Sequence, residues 1–133
     1  MIPRNAVKIT LLLCAVFVVQ GFTQAAPKPK THIYSNVEYN KEGGDLLGYE
    51  IELDVSGSQV AGVMRIYEGG CGETVPLTGT LTTEKLTLHG QSRTYGSVHI
   101  SGIVGSNIKA TIRMEKATQA ETVKLKPIAK PHC

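Results

Sequence analysis

The 133-residue sequence contains no tryptophan, and its two phenylalanines, Phe17 and Phe22, both fall within the first 25 positions. Beyond them the only aromatic rings besides histidine are Tyr34, Tyr39, Tyr49, Tyr67 and Tyr95. A core here must therefore be built from Val, Ile, Leu, Ala and Met. The aromatic lining of a carrier pocket and the platforms on which many sugar-cleaving enzymes seat their rings are scarce. Helical periodicity is also missing beyond the N-terminal segment, so helix bundles and doubly wound sheets are excluded.

Catalytic and metal patterns are equally sparse. There is no G-x-S-x-G elbow for a serine nucleophile and no C-x-x-C pair. His32, His89, His99 and His132 stand at no metal-ligand spacing, although His89 and His99 lie on separate predicted strands and could meet in space. Glu50, Glu52 and Asp54 alternate along one strand face about 7 Å apart, which matches no calcium loop. They read as a solvated face whose charges are individually dispensable for stability. Glu68-Gly69-Gly70-Cys71-Gly72-Glu73 contains G-G-x-G but precedes no helix, so phosphate has no helix N-terminus to meet. The expectation is a non-enzyme with no catalytic residue, no cofactor and no metal.

What is present begins with an export signal. Arg4 and Lys8 precede an apolar run from Ile9 to Val19, too short for a confident membrane span, and Thr23-Gln24-Ala25 offers small residues for cleavage. Residues 1–25 read as a signal peptide, 26–31 as a Pro/Lys-rich linker and 32–133 as one β-barrel domain. The mature chain would be exported, periplasmic or extracellular, without a membrane span. Losing Arg4 and Lys8 brings the formal charge of +3 closer to neutral, so nucleic acid is not an expected partner.

Two cysteines, Cys71 and Cys133, remain after cleavage. An even count in an oxidising compartment reads as a disulfide. The rival, a reactive thiol at Cys71, lacks a base or positive field, since Glu68 and Glu73 flank it.

Short apolar-polar alternations, split by glycine-rich or polar turns, run through the rest: Ile33 to Tyr39, Leu46 to Val55, Val60 to Tyr67, Thr74 to Leu81, Leu86 to Leu88, Tyr95 to Val104, Ile108 to Met114 and Thr122 to Ile128. They predict an all-β fold of about eight antiparallel strands, either a small up-and-down, calycin-like barrel or a flattened sandwich. Gly62, Gly79, Gly96 and Gly102 would serve strand bends. Charge is segregated along the chain. From Glu38 to Glu73 there are eight acids and two bases; from Glu84 to Cys133 there are three acids and eight bases. Such a division reads either as a solvated outer surface or as opposed patches.

The run from Tyr39 to Leu53, followed by Ile66 to Glu73 and Pro76-Leu77-Thr78-Gly79, resembles small exported bacterial β-proteins of unassigned function. The resemblance covers about half of the mature chain and implies no catalytic residue. In size, export and barrel shape the chain is also similar to the bacterial periplasmic lysozyme inhibitors, whose Ser-Gly-x-x-Tyr loop has its nearest match in Ser56-Gly57-Ser58-Gln59-Val60, with Val in the Tyr position. In strand count it resembles the avidin-type barrels, whose biotin pockets use the Trp that is absent here. These features lead to a non-catalytic protein that binds a macromolecule, with inhibition of a hydrolase as one form, and Tyr39, Tyr49, Tyr67 and Tyr95 as a contact surface. The alternatives are a small-molecule or lipid carrier of the lipocalin kind, or a hydrolase using Cys71 or a carboxylate pair.

Overall fold

The computed structural model describes residues 30–133 together with Gly21. The expected signal peptide of residues 1–25, Gly21 apart, and residues 26–29 of the expected linker lie outside the described residues. Nine strands follow in chain order: β1 Lys30–Ser35, β2 Glu38–Asn40, β3 Asp45–Ser56, β4 Gln59–Glu68, β5 Thr74–Thr82, β6 Lys85–Ser92, β7 Gly96–Val104, β8 Ile108–Met114 and β9 Glu121–Ile128. From β3 to β9 each strand pairs antiparallel with the next, and β1 pairs with both β9 and β3, so eight strands close into a barrel. Strand β2 is the ninth, added to the start of β3 beyond the end of β1. The choice between barrel and sandwich is thereby settled in favour of the barrel. Closure leaves few unpaired strand edges.

Three boundaries differ from the sequence expectation, the first being β6, which runs on to Ser92, four residues past the expected Leu88. Lys30 and Thr31 belong to β1, where they pair with Val55 and Asp54, so the domain begins before residue 32. The expected strand from Ile33 to Tyr39 is broken at Asn36-Val37. There Asn36 Oδ1 accepts the Tyr49 N–H at 2.7 Å, and Gly48 adopts φ +129°. A Cβ at Gly48 would press on Asn36 and Val37. The kink redirects the chain from the barrel wall into β2.

Inward positions alternate along every wall strand and fill the interior. Ile51, Met64, Val75, Leu86, Leu88, Val98, Ile108 and Leu125 are completely buried within one core cluster. The strand glycines make this tight closure possible. A Cβ on Gly62 would run into the Glu52 carbonyl, and one on Gly79 into the Thr87 carbonyl, so these positions serve close approach between neighbouring backbones. Gly96 instead opens β7 at φ +74°.

The meander gives the barrel two ends. The upper end carries the turns after β2, β4, β6 and β8. The lower end carries the turns after β3, β5 and β7.

Candidate functional site

Beyond Ile128 the last five residues leave the sheet and cross to the β4–β5 loop at the upper end. Cys133 meets Cys71 there at disulfide distance, with Cα atoms 5.9 Å apart. The segment covers part of the outer wall, which explains three buried outward residues. Ser35, Glu50 and Tyr67 lie outside the core cluster on β1, β3 and β4, yet Glu50 is 0% exposed and Tyr67 2%.

Glu50 is the centre of this cluster. Its Oε1 accepts from Arg65 Nη1 at 3.2 Å and from the Tyr67 hydroxyl at 3.4 Å. Its Oε2 accepts the His132 N–H at 3.1 Å and lies 2.7 Å from His132 Nδ1. Arg65 also reaches Glu52 at 3.0 Å. Burial first, then the Glu50 charge, pushes the Tyr67 hydroxyl pKa up. The expected solvated acidic face is therefore corrected at Glu50. Alternation does place it outward, but the tail covers it, and Arg65, Tyr67 and His132 satisfy it. A carboxylate with both oxygens engaged in this way serves to hold the tail.

The four tyrosines expected to form a contact surface do not come together as one. Tyr67 is sealed under the tail. Tyr49 and Tyr95 pack against the core from its upper end. The Tyr49 hydroxyl donates to Glu121 at 2.6 Å, and Tyr95 donates to Glu68. Tyr49 is shifted upward in pKa by burial and then by Glu121, and Tyr95 by its bond to Glu68. Tyr39 alone of the four is well exposed, at 61%. The β4–β5 loop is joined to the β6–β7 turn by Glu73, which accepts from the Ser92 hydroxyl at 2.7 Å and from the Arg93 N–H. These bonds hold the Glu73 carboxyl below the usual carboxylate range.

A different surface emerges from the register of β5 to β9. From Thr74 to Met114 the only acid is Glu84, in the β5–β6 turn. Outward residues on these strands fall into rows that cross the sheet. Lys85 faces Ile103, which faces Lys109, which faces Lys124. One step along the strands, Thr80, Thr87, Ser101, Thr111 and Thr122 form an unbroken row of hydroxyls across five strands. One further step gives Thr78, His89, His99 and Arg113. All are exposed or half-exposed. His89 and His99 do meet, with ring centroids 6.4 Å apart, but their neighbour is the Arg113 cation. Among the described residues no group of three or more His, Cys, Asp or Glu converges as metal ligands.

The segregation of charge is thus spatial. Five permanent cations, Lys85, Lys109, Arg113, Lys124 and Lys126, stand at the outward positions of β5 to β9, which carry no carboxylate, while Glu52 and Asp54 lie outward on β3 and Glu68, Glu73, Glu115 and Glu121 lie around the upper end. The rows were invisible in the sequence because they join positions 85, 103, 109 and 124, which only the pairing register brings together.

At the lower end a half-open apolar pocket of about 240 Å³ is lined by Leu53, Val55, Leu81 and Val104, with Lys30 and His32 beside them. The loop Ser56-Gly57-Ser58-Gln59 is a tight hairpin turn, with Ser56 paired to Gln59 and Gly57 at φ +61°. Val60, in the position where an inhibitor loop would carry Tyr, is 3% exposed and part of the core.

Comparison with known protein families, curated proteins and solved structures finds no match for this chain. Among the described residues no helix is long and apolar enough to cross a membrane.

Proposed function

We propose that this is an exported, non-catalytic binding protein whose working surface is the outer face of β5 to β9, and that its partner is an acidic macromolecule. The observation that carries this reading is the set of outward positions on β5 to β9, which hold five permanent cations and no carboxylate. The filled interior supports it, because a barrel packed with side chains leaves its wall and loops to meet a partner. Export is supported by the Cys71–Cys133 pair and by the N-terminal signal pattern. Inhibition of a hydrolase is one form such binding could take.

Titration of the protein with a labelled polyglutamate tests the reading. Binding is expected at low ionic strength and should weaken as salt screens the charges. The Lys109→Glu/Lys124→Glu variant should lose it. Equal binding by the variant would overturn the assignment of the surface.

A second reading has one observation in its favour. The lower-end pocket is mostly apolar and offers room for a small ligand with an apolar body. On this reading the carrier alternative would use the lower end of the barrel, where Tyr34, Leu53 and Leu81 line the pocket.

A further inference from the structure

The three rows on β5 to β9 differ in chemistry, and the difference specifies more than charge. The middle row is purely hydroxyl: Thr80, Thr87, Ser101, Thr111 and Thr122. It lies between a lysine row and a row ending in His99 and Arg113. Neighbouring strands are about 4.8 Å apart, so five strands give about 19 Å of continuous donors and acceptors, with a basic row about 7 Å to either side. Each hydroxyl can both donate and accept. Thr80, Thr87, Ser101 and Thr122 are exposed and Thr111 is half-exposed.

Resting on the acidic-partner reading above, we infer that the face binds an acidic polysaccharide, a polymer of uronate-like rings lying along the rows and across the strands. Such a chain presents anionic groups and ring hydroxyls together at short repeat. The lysines and Arg113 would take the anions, while the threonines and Ser101 exchange hydrogen bonds with the ring hydroxyls. The acids on β3 and around the upper end repel a polyanion and confine it to this wall.

Other acidic polymers fit less well. Single-stranded nucleic acid is gripped by base stacking on aromatic rings, and no Tyr lies in these rows. Double-stranded nucleic acid is stiff over many base pairs, whereas rows that cross five of eight barrel strands must curve with the wall. An acidic protein would be held mainly by a buried apolar or aromatic centre. The face supplies only Ile103, which is 50% exposed.

Alginate and polyglutamate carry the same carboxylate, and only alginate carries ring hydroxyls. Calorimetric titration of the protein at low salt with alginate, polyglutamate, uncharged dextran and poly(dT) therefore separates the two levels of the proposal. Alginate should bind at least about tenfold more tightly than polyglutamate or poly(dT), a difference that several extra hydrogen bonds of about 0.5–1.5 kcal/mol can supply. Dextran should not bind detectably. The Thr87→Val/Ser101→Ala/Thr111→Val variant, with β-compatible replacements, should lose several-fold for alginate and nothing for polyglutamate. Equal affinity for alginate and polyglutamate, unaffected by that variant, would overturn the polysaccharide inference and leave the acidic-partner reading standing. Tighter binding of poly(dT) than of alginate would overturn the inference in favour of nucleic acid. Failure to bind any polyanion would overturn both.

Discussion

The Nδ1 of His132 lies 2.7 Å from Oε2 of Glu50, a residue 82 positions earlier and fully buried on the outside of the barrel wall. This contact, with the Cys71–Cys133 pair beside it, fixes the end of the chain across β3 and β4 and creates a small polar core outside the main one.

Removing Arg65 should be costly. It would leave the buried Glu50 carboxylate without its permanent counter-charge, and loss of one partner of a buried pair typically costs about 3–5 kcal/mol. Arg65→Met should therefore lower unfolding stability in urea by an amount near that range. Glu52→Gln, which removes a partner that is itself half-exposed, should cost about 1 kcal/mol or less. Equal effects of the two substitutions would contradict the burial order.

The Cys71–Cys133 pair closes a span of 62 residues. Replacing both cysteines by Ser should lower stability by about 2–5 kcal/mol, and hydrogen exchange at the amide of His132 should accelerate as the tail is released. Binding by the β5–β9 face, measured below the new melting point, should survive. An unchanged denaturation midpoint would show that the Glu50 cluster holds the tail without the bridge.

Glu73 gives the acid side of the stability profile a defined contribution. Its carboxyl is lowered in the folded protein by the Ser92 hydroxyl and the Arg93 N–H, so the unfolded chain takes up the proton at higher pH than the folded one. The contribution is complete above the ordinary glutamate range, near pH 4.3, and is lost as pH falls through the depressed folded value. Thermal melts from pH 6 to pH 2 should show a smaller acid-side decline in Glu73→Gln than in the native protein. Parallel declines would contradict it.

Thr83 in the β5–β6 turn adopts φ 59°, a left-handed conformation that a β-branched side chain tolerates poorly. Thr83→Asn should raise stability by about 0.5–1 kcal/mol, since left-handed backbone costs about 1–2 kcal/mol for ordinary residues. A loss of stability in urea titration would mean that the threonine side chain has a compensating role.

The strand alternation made most of the wall legible. Ile51, Leu53 and Val55 on β3, and Ile108, Ala110, Ile112 and Met114 on β8, point inward as their spacing requires. The even cysteine count likewise paired Cys71 with Cys133. Glu50 was not legible, because period-two patterning reports which side of a strand a residue occupies and not what later crosses that side. His132 arrives from the far end of the chain to cover it. Tyr67 misled for the same reason. The break at Asn36-Val37 depends on Gly48 across the strand pair, a non-local cause. Charge segregation was visible along the chain, yet the rows that give it form depend on register between β6, β7, β8 and β9.

The most direct measurement of the central claim is amide chemical-shift mapping during titration with alginate. The account predicts that the largest shifts fall on Lys85, Thr87, Ser101, Ile103, Lys109 and Lys124, one continuous strip of the outer wall. Shifts confined to Tyr39, Gly70, Glu73 and Tyr95 at the upper end, or to Val55, Leu81 and Val104 at the lower pocket, would contradict it.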